Sequence, residues 1–115
     1  MTPQPKHTRP IRIIITDDHA LIREGLKTLL KEEKDMQVIA EARNATEILE
    51  LLGKHEADVI ILDISMPGKS GLDVIKEIRE RSKAAVIFLT IHSEKRYALR
   101  AFKAGAAGYL TKESA

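Results

Sequence analysis

Four consecutive aliphatic residues, Val59 to Leu62, form the sequence feature that most limits how this chain can fold. A short apolar run with no polar break is typical of a strand covered on both faces, as in a parallel sheet. Asp63 follows the run directly, and the turn-forming pair Pro67-Gly68 comes soon after. Because ligands of open parallel sheets bind outside the carboxyl ends of the strands, Asp63 is a candidate site residue. The alternative is that Asp63 only ends the strand and caps the following turn.

Strands and helices are predicted to alternate along the whole chain. Strands are expected at 11–16, 36–42, 58–63, 85–90 and 108–112, and helices at about 20–33, from the N-cap Asn44 to Gly53, at 72–81, and from the N-cap Ser93 to Gly105. This alternation implies right-handed βαβ units. The expected fold is therefore α/β, a doubly wound, flavodoxin-like sheet of five parallel strands in the order 2-1-3-4-5. That order makes the first and third strands neighbours and brings Asp17 and Asp18 beside Asp63.

Length and composition indicate one domain and exclude several classes of protein. The chain has 115 residues, a length typical of a single domain, which we expect at 11–115. The first ten residues are rich in proline, so we expect a flexible leader at 1–10. A 3% aromatic content argues against a stacking surface for single-stranded nucleic acid, and a net charge of +2 is too small to indicate nucleic-acid binding. Cysteine is absent, which excludes disulfides. No apolar run is long enough for a membrane span and no signal peptide opens the sequence, so we expect a cytoplasmic protein without membrane contacts.

Polar side chains end four of the predicted strands. They are Asp17 and Asp18, Asp63, Thr90, and Lys112. Three carboxylates packed together repel one another, and Mg²⁺, which prefers carboxylate, water and phosphate oxygens, would offset that repulsion. A cation, a lysine and a hydroxyl around one exposed carboxylate make a site for phosphoryl transfer. Taken singly, each of these residues has an ordinary explanation, such as a helix-end acid, a strand-end threonine or a solvated lysine.

The motifs around these residues resemble a known family. Asp17-Asp18, Asp63 with Met66-Pro67-Gly68, Thr90, and Tyr109 three residues before Lys112 resemble the receiver domain of bacterial two-component response regulators. The segments Asp-Asp-His-Ala-Leu-Ile-Arg-Glu-Gly-Leu (17–26) and Gly-Ala-Ala-Gly-Tyr-Leu-Thr-Lys (105–112) are similar to the NarL/FixJ branch. The resemblance covers residues 11 to 112, with five separated elements in the same order and spacing.

The resemblance implies a role for each of these residues. Asp63 would be the phosphoacceptor, with a phosphohistidine on a sensor histidine kinase as the donor. Mg²⁺ would be held by Asp18, Asp63 and the backbone carbonyl of Ser65, with Asp17 acting through water. Lys112 and Thr90 would stabilise the phosphoryl group. Thr90 and Tyr109 would form the conformational switch, and Ser65 and His92 would border the path of the hydrolytic water and tune the lifetime of the phosphate. Autophosphorylation and dephosphorylation of this kind fall outside conventional enzyme classes.

The resemblance also implies partners and parts that this sequence does not contain. Three residues follow Lys112, so we expect a receiver domain without its fifth helix and without the helix-turn-helix output domain through which relatives bind DNA to regulate transcription. The apolar face left by the missing helix is expected to be exposed, to lower stability, or to support a homodimer or another association. A basic stripe of Arg96, Arg100 and Lys103 is interpreted as a solvated face, with docking as the alternative.

Other interpretations stay open. His19 is predicted to be a first-turn helix residue rather than a metal ligand, because no second histidine lies at ligand spacing. A degenerate receiver could act as a docking or dimerisation module without phosphorylation. A phosphatase of the haloacid dehalogenase type would carry its nucleophile on the first strand, with a second acid two residues later. A flavodoxin-like cofactor module would need a phosphate-binding loop, and Asp17-Asp18 would repel phosphate there.

Overall fold

A computed structural model of the protein describes residues 9–112, so positions 1–8 of the predicted leader and the last three residues lie outside it. The strands are β1 (Ile11–Thr16), β2 (Met36–Ala42), β3 (Val59–Leu62), β4 (Ala85–Thr90) and β5 (Gly108–Thr111). They form one parallel sheet in the order β2-β1-β3-β4-β5. The predicted doubly wound, flavodoxin-like fold is therefore confirmed, with each strand end within one residue of its expected position.

Four helices connect the strands. They are α1 (Ala20–Lys31), α2 (Ala45–Leu52), α3 (Gly71–Arg81) and α4 (Lys95–Lys103). The predicted cap of α2 is confirmed, since the Asn44 side chain accepts a hydrogen bond from the Glu47 amide. The prediction that Ser93 caps α4 is wrong: the N-cap is Glu94, whose carbonyl accepts the first helical hydrogen bond, from Tyr97. None of the helices between residues 9 and 112 is long and apolar enough to cross a membrane.

The largest cluster of buried hydrophobic side chains lies on one side of the sheet. Its largest buried side chains are Ile14, Ile60, Leu62, Val86 and Phe88 from the strands and Ile48, Val74, Ile75 and Ile78 from α2 and α3. Burying an aliphatic or aromatic side chain of this size contributes about 1.5–3 kcal/mol to folding. This cluster therefore holds β1, β3 and β4 together, and these strands end at the candidate site.

The opposite face of the sheet is covered only by α1 in the part of the chain that is described. Leu89 is buried there, but its β5 neighbour Leu110 is 53% exposed. In α1, Leu21 is 86% exposed and Leu29 is 64% exposed. No residue of α1 is fully buried, although its apolar side chains recur at helical spacing as predicted. Leu110, Leu21 and Leu29 are therefore exposed apolar side chains in the described part of the chain, and whether a fifth helix would cover them stays a prediction.

An ion cluster closes the edge of the sheet farthest from the candidate site. Asp58, just before β3, accepts hydrogen bonds from the Arg9 guanidinium (2.7 Å) and from the Arg12 backbone amide (2.8 Å). The hydrogen bond from Arg9, and then the amide, hold the pKa of Asp58 well below its usual range. The charge of Asp58 therefore stabilises the fold above the ordinary aspartate pKa, and this contribution is lost as the pH falls below it.

Candidate functional site

Parallel pairing brings two carboxylates together at the carboxyl ends of β1 and β3. Thr16 and Leu62 are register partners, so Asp17 and Asp63, which follow them, leave the sheet side by side. The Asp63 amide donates to the Thr16 carbonyl (3.0 Å) and extends this pairing by one residue. Asp17 and Asp63 are only 3% and 2% exposed. The strand register therefore brings Asp17 and Asp63 together, as predicted.

Lys112 lies between the two buried carboxylates. Its Nζ atom is 3.0 Å from Asp17 Oδ2 and 3.2 Å from Asp63 Oδ2, and its own side chain is only 14% exposed. The Lys112 amide donates to the Thr90 carbonyl (2.8 Å), which fixes the end of β5 against β4. Burial alone would lower the pKa of Lys112, but the hydrogen bonds and attraction of Asp17 and Asp63 raise it above the ordinary value. Lys112 therefore carries a positive charge where two negative charges meet.

The carboxyl group of Asp63 is held in an unfavourable environment for its charge. Burial raises its pKa, and the nearby negative charge of Asp17 raises it further, while Lys112 and Thr90 act in the opposite direction. The folded protein thus binds a proton on Asp63 more readily than the unfolded chain does. Its charge destabilises the fold at neutral pH, and a second cation would remove part of that cost.

The cluster of acids has the capacity to hold a cation. One ligand atom from each of Asp17, Asp18, His19 and Asp63 lies within 4.8 Å of the others. Asp18 Oδ1 and Asp63 Oδ1 are buried and make no hydrogen bond with any residue from 9 to 112, although the His19 ring nitrogen lies 3.2 Å from Asp18 Oδ1. Buried carboxylate oxygens without donors are costly, and a hard divalent cation with oxygen ligands satisfies them. The residues therefore fit Mg²⁺, whereas the role of the Ser65 carbonyl as a ligand stays a prediction.

His92 connects the two predicted switch residues through its backbone. Its amide donates to Thr90 Oγ1 (3.3 Å), and its carbonyl accepts a hydrogen bond from the Tyr109 hydroxyl (2.5 Å). Thr90 is fully buried, and the half-buried Tyr109 ring packs against Phe88, 6.1 Å between centroids. Burial raises the pKa of the Tyr109 hydroxyl. The two switch residues are thus linked to each other by a single residue of the loop between β4 and α4.

The side chain of His92 makes a separate set of contacts. His92 Nε2 lies 2.6 Å from Ser65 Oγ, and its ring packs against Tyr97 with 4.7 Å between centroids. Beside this contact lies an open groove of about 660 Å³. The groove is lined by residues that include Asp18, His19, Ser65, His92, Tyr97 and Arg100. The two residues predicted to tune phosphate lifetime therefore touch each other at the rim of the acidic cluster.

Some residues that shape the site were not identified from the sequence. Gly71 was placed only just before a helix, yet a Cβ atom built on it would lie 2.1 Å from the Asp63 carbonyl oxygen. Arg23, a residue of α1, donates to the Asp17 carbonyl (2.7 Å). His19 is the N-cap of α1 rather than part of its first turn, and its ring contacts Asp17. The adjacency of His19 to Asp17-Asp18 was the only sequence signal for this contact.

The predicted basic stripe on α4 is exposed. Arg96, Arg100 and Lys103 all face solvent, and the Arg96 guanidinium lies 5.1 Å from the centroid of the Tyr97 ring. Leu99 and Phe102 on the same helix are each 51% exposed. A solvated face remains the simplest interpretation of the stripe, and docking remains a prediction.

Comparison with known proteins places these features in a family. Residues 13–115 match the sequence model of a protein family, the response regulator receiver domain. The transcriptional regulatory protein DegU of Brevibacillus brevis is 38% identical over 90% of this chain and 44% of its own length. YdfI of Bacillus subtilis is 37% identical over 90% of this chain and 48% of its own. The chain thus spans about half the length of these curated relatives.

Solved structures agree with the sequence relatives. The signal receiver domain of NarL from Mycobacterium tuberculosis superimposes with a TM-score of 0.87 at 34% identity, over 93% of this chain and 87% of that one. A two-component response regulator of the LuxR family from an Aurantimonas species gives a TM-score of 0.85 at 36% identity, over 90% and 74% of the two chains. With buried acids at the ends of β1 and β3 and a lysine between them, the chain belongs to the response regulator receiver domain family.

Proposed function

We propose that the domain accepts a phosphoryl group on Asp63 in a reaction that depends on Mg²⁺. The observation that carries this proposal is the buried pair of Asp17 and Asp63 around Lys112, with one Asp63 oxygen that no described residue engages. Receiver domains bind Mg²⁺ through an acidic pocket, and Asp17, Asp18 and Asp63 form such a cluster. Asp63 acts as the nucleophile, and a phosphohistidine of a sensor histidine kinase is the donor.

The chemistry assigned to the protein side chains follows from their charges. A carboxylate oxygen of Asp63 forms a bond to phosphorus as the bond from phosphorus to the donor nitrogen breaks, and the imidazole leaves with that electron pair. Lys112 neutralises charge on the phosphoryl oxygens, and the Thr90 hydroxyl donates a hydrogen bond to one of them. Bound Mg²⁺ supplies further charge neutralisation at the same oxygens. Asp18, Asp63 and the Ser65 carbonyl would hold the ion, with Asp17 acting through water.

The conformational switch is proposed to act through His92. A Thr90 hydroxyl that turns toward the phosphoryl group gives up the hydrogen bond that it accepts from the His92 amide. That releases the loop whose carbonyl holds the Tyr109 hydroxyl, so the Tyr109 ring can turn inward. The surface formed by α4 and β5 changes as a result, and this change is the output signal.

The proposal is tested by phosphorylation from a small donor. The purified protein, incubated with acetyl phosphate and Mg²⁺, is expected to gain the mass of one phosphoryl group in intact mass spectrometry. Asp63→Asn removes the nucleophile and should abolish the gain, as should omission of Mg²⁺ with a chelator present. Asp35→Asn is the matched control, because Asp35 lies beside Ile11 at the opposite edge of the sheet. A folded wild-type protein that gains no mass would instead favour a docking module without phosphorylation.

Ser65 and His92 are proposed to tune the lifetime of the phosphorylated state. Their side chains contact each other at the rim of the site, where they restrict the approach of water to phosphorus. Replacing both with alanine is expected to widen the path of water to phosphorus and to raise the decay rate of phosphorylated Asp63 several-fold. Decay is followed by intact mass after removal of the donor, with Ser93→Ala as control. An unchanged decay rate in the double variant would contradict the assignment.

The wider setting is proposed from the relatives. DegU and YdfI carry the name of transcriptional regulatory proteins, and a solved relative is described as bound to a promoter. We propose that this receiver likewise controls transcription through a DNA-binding output domain, in the cytoplasm, with a sensor histidine kinase as its upstream partner. The exposed apolar side chains near β5 are proposed to support association, including a homodimer.

A further inference from the structure

We propose that His19 supplies a nitrogen ligand at the acidic cluster, so that the site binds a divalent transition ion such as Co²⁺, Ni²⁺ or Zn²⁺ more tightly than its carboxylates alone would. This inference rests on the metal site of the proposed function and changes its selectivity. The sequence interpretation of His19 as an ordinary helix residue is then incomplete, because a single histidine beside three carboxylates is sufficient for mixed nitrogen and oxygen ligation.

The position of the His19 ring is the first observation in support. Its Nδ1 atom lies 3.0 Å from Asp17 Oδ1 and 3.2 Å from Asp18 Oδ1. Two ligand atoms at right angles around an ion, each about 2.1 Å from it, are about 3.0 Å apart. The His19 backbone amide also donates to Asp17 Oδ1 (2.8 Å), which holds this residue against the cluster. The imidazole nitrogen is thus at ligand spacing from two carboxylates.

The unsatisfied oxygen of Asp63 is the second observation. Asp63 is only 2% exposed, and its Oδ1 has no hydrogen-bond donor among residues 9–112. One oxygen of the Asp63 carboxylate lies within 4.8 Å of a ring nitrogen of His19 and of one oxygen from each of Asp17 and Asp18. A buried carboxylate beside the ring therefore offers a further acceptor, which a simple hydrogen bond between His19 and Asp17 leaves unused.

The identity of the donor atoms decides which ions the site binds more tightly. Mg²⁺ is a hard ion that prefers oxygen and gains little from imidazole, whereas imidazole is a good ligand for Co²⁺, Ni²⁺ and Zn²⁺. The His19 side chain is 62% exposed, so its ring can adjust around an ion without repacking the core. Loss of the ring should therefore weaken Co²⁺ binding about tenfold and leave Mg²⁺ binding nearly unchanged.

The test measures Co²⁺ and Mg²⁺ separately, by isothermal titration calorimetry, on the wild-type protein, His19→Ala and the control His55→Ala. His55 is an exposed histidine at the other edge of the sheet, next to Asp58. We expect His19→Ala to lower Co²⁺ affinity about tenfold and to shift the visible absorption bands of bound Co²⁺, with Mg²⁺ affinity within about twofold of wild type. His55→Ala should change neither affinity nor spectrum.

Two results would overturn the inference. If His19→Ala weakened Co²⁺ and Mg²⁺ equally, the ring would only be positioning Asp17; if it changed neither ion nor the Co²⁺ spectrum, it would not be a ligand at all. In both cases Mg²⁺ binding to the wild-type protein would leave the proposed function intact. Failure of the proposed function has a different signature, which is wild-type protein that binds no Mg²⁺ and gains no phosphoryl group.

Discussion

Replacing Lys112 with methionine is expected to lower the free energy of unfolding by about 3 kcal/mol at neutral pH in metal-free buffer. Methionine keeps most of the length of the side chain but removes the ammonium group that lies 3.0 Å from Asp17 and 3.2 Å from Asp63. Two almost fully buried carboxylates would then face each other without a cation. Urea denaturation followed by circular dichroism, in the presence of a chelator, measures the loss.

The loss should depend on pH in a defined direction. The pKa of Asp63 is already raised in the folded protein, chiefly by burial and then by Asp17. The charged form of Asp63 therefore lowers the free energy of unfolding. This loss begins near the unfolded pKa, about 4, increases as the pH rises through the raised folded pKa, and is constant above it. Removing Lys112 raises that folded pKa further. The difference between Lys112→Met and wild type should thus shrink as the solution is acidified toward the unfolded pKa.

Divalent cations should restore the variant. Millimolar Mg²⁺ is expected to stabilise Lys112→Met more than it stabilises the wild-type protein, because the ion replaces the missing positive charge. Lys69→Met is the control, since Lys69 pairs with Glu77 on the surface, where solvent screens the pair. A Lys112→Met variant as stable as Lys69→Met without metal would mean that Asp17 and Asp63 are not both charged in the folded protein.

Replacing Gly71 with alanine should have a similarly large effect through a different cause. The new Cβ atom would lie 2.1 Å from the Asp63 carbonyl oxygen and 3.0 Å from Phe88 Cε1, so either α3 or the end of β3 must move. Overpacking of this kind costs about 3 kcal/mol. Because the obstructed atom belongs to the backbone of Asp63, Gly71→Ala is also expected to slow phosphorylation under conditions where the variant is fully folded.

Gly25→Ala is the matched control for this substitution. Gly25 lies within α1, and a Cβ atom there would meet nothing within 4 Å. Alanine in an exposed helix interior is about 0.5–1 kcal/mol more favourable than glycine, so Gly25→Ala should raise stability. The same chemical change therefore has opposite expected signs at the two positions. Equal stability of Gly71→Ala and wild type in urea denaturation would show that α3 approaches Asp63 less closely than the geometry indicates.

The convergence of the acids was predictable because it depends on only two facts. Strands alternate with helices, and parallel strands carry their carboxyl ends to one edge, so Asp17 and Asp63 had to be neighbours once β1 was paired with β3. Lys112 follows β5, which β4 separates from β3, so its contact with both acids depends on the reach of its side chain. Most of the fold follows from the same reasoning. Interpreting the motifs as those of a receiver domain added the functional roles, which are still proposals.

Other features could not be predicted because they depend on contacts distant in the sequence. Gly71 looks like an ordinary residue before a helix until α3 is packed against the end of β3. The start of α4 was placed at Ser93 on the basis of side-chain preference, but Glu94 takes the cap position without a side-chain hydrogen bond. Leu21 and Leu29 have the spacing of buried residues, and whether such residues are covered depends on which elements pack beside them.

The arrangement around His92 has a consequence for how such a domain can diversify. The two hydrogen bonds that join Thr90 to Tyr109 use the amide and carbonyl of His92, whereas its contacts with Ser65 and Tyr97 use the imidazole ring. Any amino acid other than proline offers the same amide and carbonyl. Under the roles proposed for His92, substitution at position 92 resets the lifetime of the phosphorylated state while the backbone link between Thr90 and Tyr109 is preserved, so the duration of a response and its transmission can evolve independently.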